Sequence, residues 1–365
     1  MTASLNEKLR TVKWGEYKLE DLFDSFNGNF DIQKEHINGR GVQVITAGLA
    51  NCGILGKTDI PAKVFPAGTL TIDMFGNAFY RNEAYKMVTH ARVFSLCPKC
   101  TLSDNQGLFI SSALGFIRFK FGFDSMCTWD KIKALYIKLP TKDAETIDFD
   151  FMESFIAELE AERIAELEAY LTVSGLDNYE LSKEEEQAIA DYSSYNWENF
   201  NIKALYGKST RGKRLKSEDR IPGTLPFVTA GEAEEGVSAF IGNDVEVFEK
   251  NTTTIDMFGS AKYRNYRYGG DDHVAIVHTE NVPMKASIFV TSACHKAAHT
   301  GKFDYGHNFY AKDADALDIM LPSKDGKPDY QAMELLISAI QKLVIKDVVR
   351  YAERKISGAK QITKQ

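Results

Sequence analysis

Two different periods run through the apolar positions of this chain. From Phe149 to Thr172, Met152, Ile156, Leu159, Ile164, Leu167 and Leu171 recur at helical spacing on a Glu- and Ala-rich background, which predicts a long helix. IAELEA occurs in it twice, at 156–161 and 164–169. An offset of eight overshoots two turns by about 80°, so the stripe shifts sideways between the copies. A second long helix is predicted over 330–356, where Met333, Ile337, Ile340, Val344, Val348 and Tyr351 form one face. The stretch KEEEQAIA at 183–190 adds a shorter helical piece. Elsewhere the apolar residues fall in short β-branched or aromatic runs near Gly, Pro or Asn. Strands are predicted at Val42–Ala47, Thr69–Phe75, Phe116–Phe121 and Leu135–Leu139, then at Thr224–Thr229, Thr253–Phe258, Val274–Val277 and Ala316–Leu321. Leu19, Leu22 and Phe23, like Ile202, Leu205 and Tyr206, mark a short helix ahead of each group.

The two groups are copies. TLTIDMFGNAFYRN at 69–82 returns as TTTIDMFGSAKYRN at 252–265, identical at eleven of fourteen positions. The offset of 183 also pairs Trp14 with Trp197, Leu22 with Leu205, Thr46-Ala47-Gly48 with Thr229-Ala230-Gly231, and His90 with His273. Leu139-Pro140 matches Leu321-Pro322 at 182. An offset held over this length makes the chain a duplicated unit. Its expected class is α+β: two tandem mixed α/β domains, each followed by a long helix. The domains are expected at 11–148 and 195–327, and the helical regions at 149–194 and 328–358. The first helix is acidic and the second mildly basic, so the two stripes most simply pack on each other, the other reading being that each packs on its own domain.

Charge sharpens the picture. The net charge is −7, yet residues 141–194 alone carry −13, while 11–140 carry +3 and 323–365 carry +4. Phosphates respond to local patches, because more distant charges are screened. The acidic total therefore permits nucleic-acid binding without pointing to it. With no secretory h-region, no long apolar run and five cysteines, the expected location is the cytoplasm.

Catalytic chemistry is scarce. Gly56-Lys57-Thr58 and Gly207-Lys208-Ser209 end like phosphate loops, but the glycine needed five residues earlier is Asn51 or Ile202. No adjacent prolines, G-x-S-x-G or H-E-x-x-H occur. Cys97-Pro98-Lys99-Cys100 supplies two ligands where structural zinc needs four. Cys127, Cys52 or His90 could complete the set, but the second copy has Glu280 to Pro283 there. Two reduced thiols at a turn are the simpler reading, so neither metal nor cofactor is expected.

A duplicated domain with a long helix after each copy resembles the specificity subunit of type I restriction-modification systems, and equally the similar subunit of type IIB systems. The resemblance runs from about Trp14 to Ile356. It rests on GKSTRGKRLKSEDRIPGTLPFVTAG at 207–231, on Gly236-Val237-Ser238 and on the TIDMFGxAxYRN motif in both copies. It implies a non-catalytic subunit in which each target-recognition domain reads half of a bipartite, asymmetric DNA site. It further implies helices that form an antiparallel spacer and dock methyltransferase subunits, with a restriction subunit as a further partner. An enzyme with an unrecognised motif and a protein-binding scaffold are the rival readings.

Arg211, Lys213, Arg214 and Lys216 surround Gly212 in a cationic loop suited to phosphate contact, or simply to solvent. The first copy has Asn27-Gly28-Asn29-Phe30-Asp31 there and lacks the cluster. Tyr80, Arg81 and Asn82, with Tyr263, Arg264 and Asn265, follow a strand in both copies. Arg and Asn can pair with guanine and adenine. Their identity in both copies nevertheless favours phosphate positioning or a structural turn over base reading. Asp73 and Asp256 are expected to satisfy backbone groups at a turn. Base readers are expected where the copies diverge, at 104–115 with 121–130 and at 286–310. The last stretch holds His295, Lys296, His299, Lys302 and His307, and a flexible polar loop is its other reading.

Overall fold

A computed structural model describes residues 3–143 and 146–362, with the side chains of 357–362 left aside. The chain divides between Leu167 and Glu168 into two compact units.

Among the described residues, the first unit has helix α1 (Ala3–Thr11) followed by nine strands. These are β1 (Trp14–Lys18), β2 (Phe23–Asn27), β3 (Val42–Ile45), β4 (Ile54–Thr58), β5 (Thr69–Ile72), β6 (Ala78–Arg81), β7 (Tyr85–Met87), β8 (Phe94–Pro98) and β9 (Tyr136–Pro140). β1 pairs antiparallel with β9, tying the start of the domain to its end. A four-stranded sheet runs β2–β8–β5–β6, and a smaller one runs β4–β3–β7 with β3 and β7 parallel. Between β8 and β9 lies α2 (Asp104–Ala113); after β9 comes α3 (Phe149–Val173). α2 and the start of α3 close one core around Leu70, Ile72, Leu96, Ile110 and Met152. A second core gathers Ile32, Val44, Ile45, Tyr85 and Met87.

The second unit repeats this plan behind helix α4 (Lys183–Ala190). Its strands are β10 (Trp197–Asn201), β11 (Thr210–Arg211), β12 (Pro222–Val228), β13 (Val237–Ile241), β14 (Val247–Phe248), β15 (Thr252–Asp256), β16 (Ala261–Arg264), β17 (Tyr268–Gly270), β18 (Val274–Val277), β19 (Asp318–Lys324) and β20 (Lys327–Pro328). β10 pairs with β19, β11–β18–β15–β16 answers the first four-stranded sheet, and β13–β12–β17 answers the small one, with β14 added at its edge. Helix α5 (Met284–Ala298) covers the larger sheet through Ala286, Val290, Cys294 and Ala298, and α6 (Tyr330–Ile362) enters the same core through Met333.

The predicted long helices, the short piece at 183–190 and most predicted strands are present. Phe116–Phe121 is not a strand. Leu114–Phe119 forms a 3-10 helix whose three-residue period puts Leu114 and Ile117 inside. Thr69–Phe75 stops as a strand at Ile72, because Asp73 begins a turn. Of the divergent stretch 286–310, residues up to Ala298 lie in helix α5, one face of which is buried, so a flexible loop does not describe that part. Likewise 104–115 is α2, started by a capping box in which Ser103 accepts from Gln106 N and the Gln106 side chain accepts from Ser103 N.

The duplicated motif is a clamp. Asp73 Oδ1 accepts from the Phe75 and Asn77 amides, both at 2.9 Å, and its Oδ2 from Gly48 N at 2.8 Å. Asp256 does the same with Phe258, Ser260 and Gly231. Arg81, 5% exposed, donates to Thr71 Oγ1 at 2.9 Å and to the Cys52 carbonyl at 2.8 Å. Arg264, 1% exposed, repeats both bonds with Thr254 Oγ1 and the Glu235 carbonyl, and adds Tyr266 OH. The gripped loops contain non-glycine residues in the left-handed region: Asn51 and Cys52 at φ 47° and 51°, Glu234 and Glu235 at 47° and 54°. Such residues cost on the order of 1–2 kcal/mol each and persist only when held. Gly53 and Gly236 close the loops at positive φ, and a Cβ on either would sit 2.7 Å from a threonine carbonyl. Burial pulls the Arg81 guanidinium down to about 10, which still leaves it charged at neutral pH.

Burial and these hydrogen bonds favour the structural-turn reading of Arg81 and Arg264 over contact with DNA. Tyr80 OH donates to Asp104 Oδ1 at 2.9 Å, and Tyr263 OH donates to Asn251 Oδ1 at 2.9 Å. Burial, then the Asp104 carboxylate, push the Tyr80 phenol up to about 12. Both tyrosines are half-buried, and Asn82 and Asn265 are exposed.

Each short helix is pinned to the long helix of its own unit. In the first, Lys8 of α1 pairs with Glu158 of α3 at the surface. In the second the signs reverse: Glu185 of α4 pairs with Lys342 of α6 at 2.8 Å, and the carboxylate is nearly buried. Burial alone would raise the Glu185 carboxyl. The Lys342 ammonium, the Ser182 amide and Ser338 outweigh it and hold it down from 4.5 to about 2.

Two sets of measurements follow. Arg81→Lys and Arg264→Lys lose the forked grip and should each destabilise by about 2–4 kcal/mol in denaturant unfolding, whereas Asn82→Ala and Asn265→Ala should stay within about 0.5 kcal/mol. A lysine variant as stable as the parent would dissolve the clamp. Lys342→Met should cost roughly 1.5–3 kcal/mol at neutral pH and speed amide exchange in α4. Because the Glu185 pKa is depressed, its contribution is whole above pH 4.5 and disappears as pH falls toward 2. The gap between parent and variant should therefore narrow from pH 5 to pH 3, and a constant gap would assign the loss to something other than the ion pair.

Candidate nucleic-acid interface

The cationic loop of the second unit is built rather than loose. It leaves β11 beside β18, and Gly212 passes so close to β17 that a Cβ there would lie 1.6 Å from the Gly270 carbonyl. Leu215 N donates to Asp271 Oδ1 at 3.3 Å. Arg220 lies over the Phe227 ring, 5.1 Å from its centroid, and bonds the Leu215 carbonyl and Ser238 Oγ. Thus fixed, the loop turns Arg211, Lys213 and Arg214 to solvent, and among the described residues no carboxylate pairs with them. Lys216 is exposed and lies 3.5 Å from Glu218. Three exposed cations on an anchored backbone give the loop the charge and the fixed geometry that contact with phosphate calls for.

The matching loop of the first unit keeps the close approach, with Gly28 against the Met87 carbonyl, but not the charge. Asp31 accepts from His90 N at 3.0 Å, His90 Nδ1 at 2.6 Å and Thr89 Oγ1 at 3.1 Å. These contacts, the His90 amide first, hold the Asp31 carboxyl below its usual range. The first unit thus presents a carboxylate where the second presents cations.

Of the sites expected on 286–310, His295 and Lys296 lie on α5. His295 Nδ1 accepts from Ala261 N at 3.2 Å and its ring stacks on His299, which makes it a packing residue. Lys296 is exposed and borders an apolar groove of about 700 Å³ with Trp197, Phe289 and Met320. A groove of about 660 Å³ lies beside Trp14 and Phe109 of the first unit. His299, Lys302 and His307 are exposed past the end of α5.

Three loops meet at one rim of each unit: the clamped loop, the turn after β5 or β15, and the segment after α2 or α5. A Cβ on Gly76 would touch Ile117 backbone, and one on Gly259 the Ala298 carbonyl. Cys127 N donates to Met74 O at 2.7 Å, and Phe309 N to Met257 O at 2.9 Å. Sequence reasoning missed this convergence, and missed Asp271 and Arg220 as the anchors of the cationic loop, because each contact joins residues far apart in the chain.

For metals, no third Cys, His, Asp or Glu joins Cys97 and Cys100 among the described residues. Burial, then Asp73, raise the Cys127 thiol to about 12, away from the thiolate a metal would need. Asp271, Asp272 and His273 lie within 4.8 Å of one another, but Asp271 already holds Leu215. No helix among the described residues is long and apolar enough to cross a membrane.

Comparison with known proteins agrees with this organisation. Residues 11–169 match the type I restriction modification DNA specificity domain, and the internal repeat carries the same plan into the second half. The chain is 24% identical over 341 residues to the specificity subunit S.BcgI of a type II restriction enzyme from Heyndrickxia coagulans, covering 92% of this chain and 96% of that one. Its fold is similar to the S subunit of a type-I restriction-modification system from M. genitalium, with a TM-score of 0.60 at 15% identity, over 96% of this chain and 94% of the other. Residues 11–169 thus carry the type I restriction modification DNA specificity domain, and over nearly its whole length the chain is similar to a specificity subunit of a restriction enzyme.

Proposed function

We propose that this protein reads a bipartite, asymmetric double-stranded DNA site in the cytoplasm, one half with each unit. In this reading the domains at 11–148 and 195–327 are target-recognition domains. The helical regions at 149–194 and 328–358 form an antiparallel spacer and present methyltransferase subunits, and with them a restriction subunit, to the bound DNA. One observation carries the reading: each unit has its own cores and its own clamp, identical in plan, under a rim whose loops differ in charge and sequence. A shared scaffold with divergent rims is what two independent readers of unlike half-sites require. α3, 25 residues long, spans about 37 Å at ~1.5 Å per residue, close to one turn of B-DNA.

Replacing residues 195–322 by the corresponding domain of another specificity subunit should change one half of the methylated motif and leave the other intact. Sequencing of methylated host DNA reads this directly, and a simultaneous change in both halves would end the idea of independent reading. Converting Arg211, Lys213, Arg214 and Lys216 to alanine should weaken DNA retention for all sequences alike. It should also flatten the dependence of log affinity on log salt by about 3–4, at ~0.9 per phosphate contact. An unchanged slope would return the loop to bulk solvent.

A further inference from the structure

The segments after α2 and α5 differ in sequence, yet each ends in the same small hairpin. A bridge between Gly122 and Ser125 leaves Phe123 and Asp124 at its tip, and a bridge between Asp304 and His307 leaves Tyr305 and Gly306 at the other. Both tips therefore place an aromatic side chain first. Phe123 is 75% exposed and Tyr305 84%, the most solvent-facing rings of their units apart from Phe119 beside Phe123. Each stands edge-on to the phenylalanine of the duplicated motif: Phe123 to Phe75 at 5.0 Å and 78°, Tyr305 to Phe258 at 5.2 Å and 83°. Single exposed aromatics are ordinary on protein surfaces. Two at matching tips, each braced by a half-buried ring, form a device present twice.

The surroundings decide what it meets. Near the first tip, Arg118 lies over Phe119 at 4.8 Å, and Lys131 donates to Met126 O at 2.8 Å. Near the second, His307 packs over Phe303 at 5.3 Å and Lys302 is exposed. Asp304 Oδ1 accepts from the Gly306 and His307 amides, and Asp304 and Asp124 are each exposed at their hairpins. Rings interleaved with cations match the chemistry of stacked bases flanked by phosphates.

We propose that Phe123 and Tyr305 are wedges that stack on, and partly open, a base step in their respective DNA half-sites. This rests on the DNA-reading function proposed above and adds to it a contact that is apolar and insensitive to salt.

The test uses the full chain and duplexes bearing its methylated motif, with 2-aminopurine stepped through each half-site. The parent should change probe fluorescence at one step per half. Phe123→Ala should abolish the change in one half only and Tyr305→Ala in the other. Each should lower affinity about tenfold, which corresponds to ~1.4 kcal/mol. Phe123→Trp and Tyr305→Phe should retain both effects, and the salt slope should stay that of the parent. Equal melting temperatures would show that the alanine variants are folded, as expected for rings that face solvent. Retention of DNA with unchanged affinity and fluorescence in both alanine variants would overturn the wedges alone. Failure of the parent to retain DNA at low salt would overturn the reading function and the wedges together. Loss of methyltransferase subunits from the alanine variants, with DNA binding intact, would reassign the tips to protein docking and overturn the proposal.

Discussion

The grip of a buried arginine on one backbone carbonyl underlies the rest of this structure. Arg81 on Cys52 and Arg264 on Glu235 hold loops whose backbone would otherwise relax out of the left-handed region. The partner aspartates hold the same loops from the other side, through Gly48 and Gly231. Those aspartates also shape the turn on which the hairpin segment rests. One buried aspartate and one buried arginine per unit, each bonded to backbone on the same loop, therefore position an entire rim. Burying a charge without such partners is expensive, which is why the residues of this motif act together rather than singly.

Much of the architecture was legible because it was written twice. The offset of 183 identified the duplication, and the apolar stripes from Met152 and Met333 located the long helices. Asp73 and Asp256 were readable as turn residues, since a carboxylate followed by Phe-Gly within an apolar run has amides within reach. Arg81 and Arg264 were harder. In sequence they sit next to Asn82 and Asn265 as an inviting base-reading dipeptide. Only the strand order, with β5 beside β6 and β15 beside β16, turns each arginine inward onto a neighbouring threonine. The helices α2 and α5 escaped notice because polar and apolar residues mix on both, α5 burying small residues such as Ala286, Ser287 and Ala298. The hairpin tips were visible in the letters, with Phe123 and Tyr305 a constant 182 apart, but strong divergence around them concealed the match.

Function in this fold is divided between what is held constant and what is free. The clamp, the cores and the paired strands β1–β9 and β10–β19 recur with the same geometry. The cationic loop of the second unit has become an Asp31–His90 contact in the first. A reader can thus change its preference by altering exposed loop residues while the energetic supports stay in place, since surface substitutions rarely shift stability by more than about 0.5 kcal/mol.

The reversed ion pairs have a consequence for how such a chain finds its own shape. Two halves of one plan invite cross-assembly during folding, each short helix being presented with two similar long ones. Were α4 to settle on α3, Glu184, Glu185 and Glu186 would face a helix already rich in glutamate. Were α1 to settle on α6, Lys8 would come against a helix that carries Lys342 and Lys346 instead of Glu158. Like charges brought together in this way are costly, and the buried member of the set, Glu185, makes the error dearest where the correct match is tightest. Opposite signs thereby act as labels, letting each half recognise its own helix.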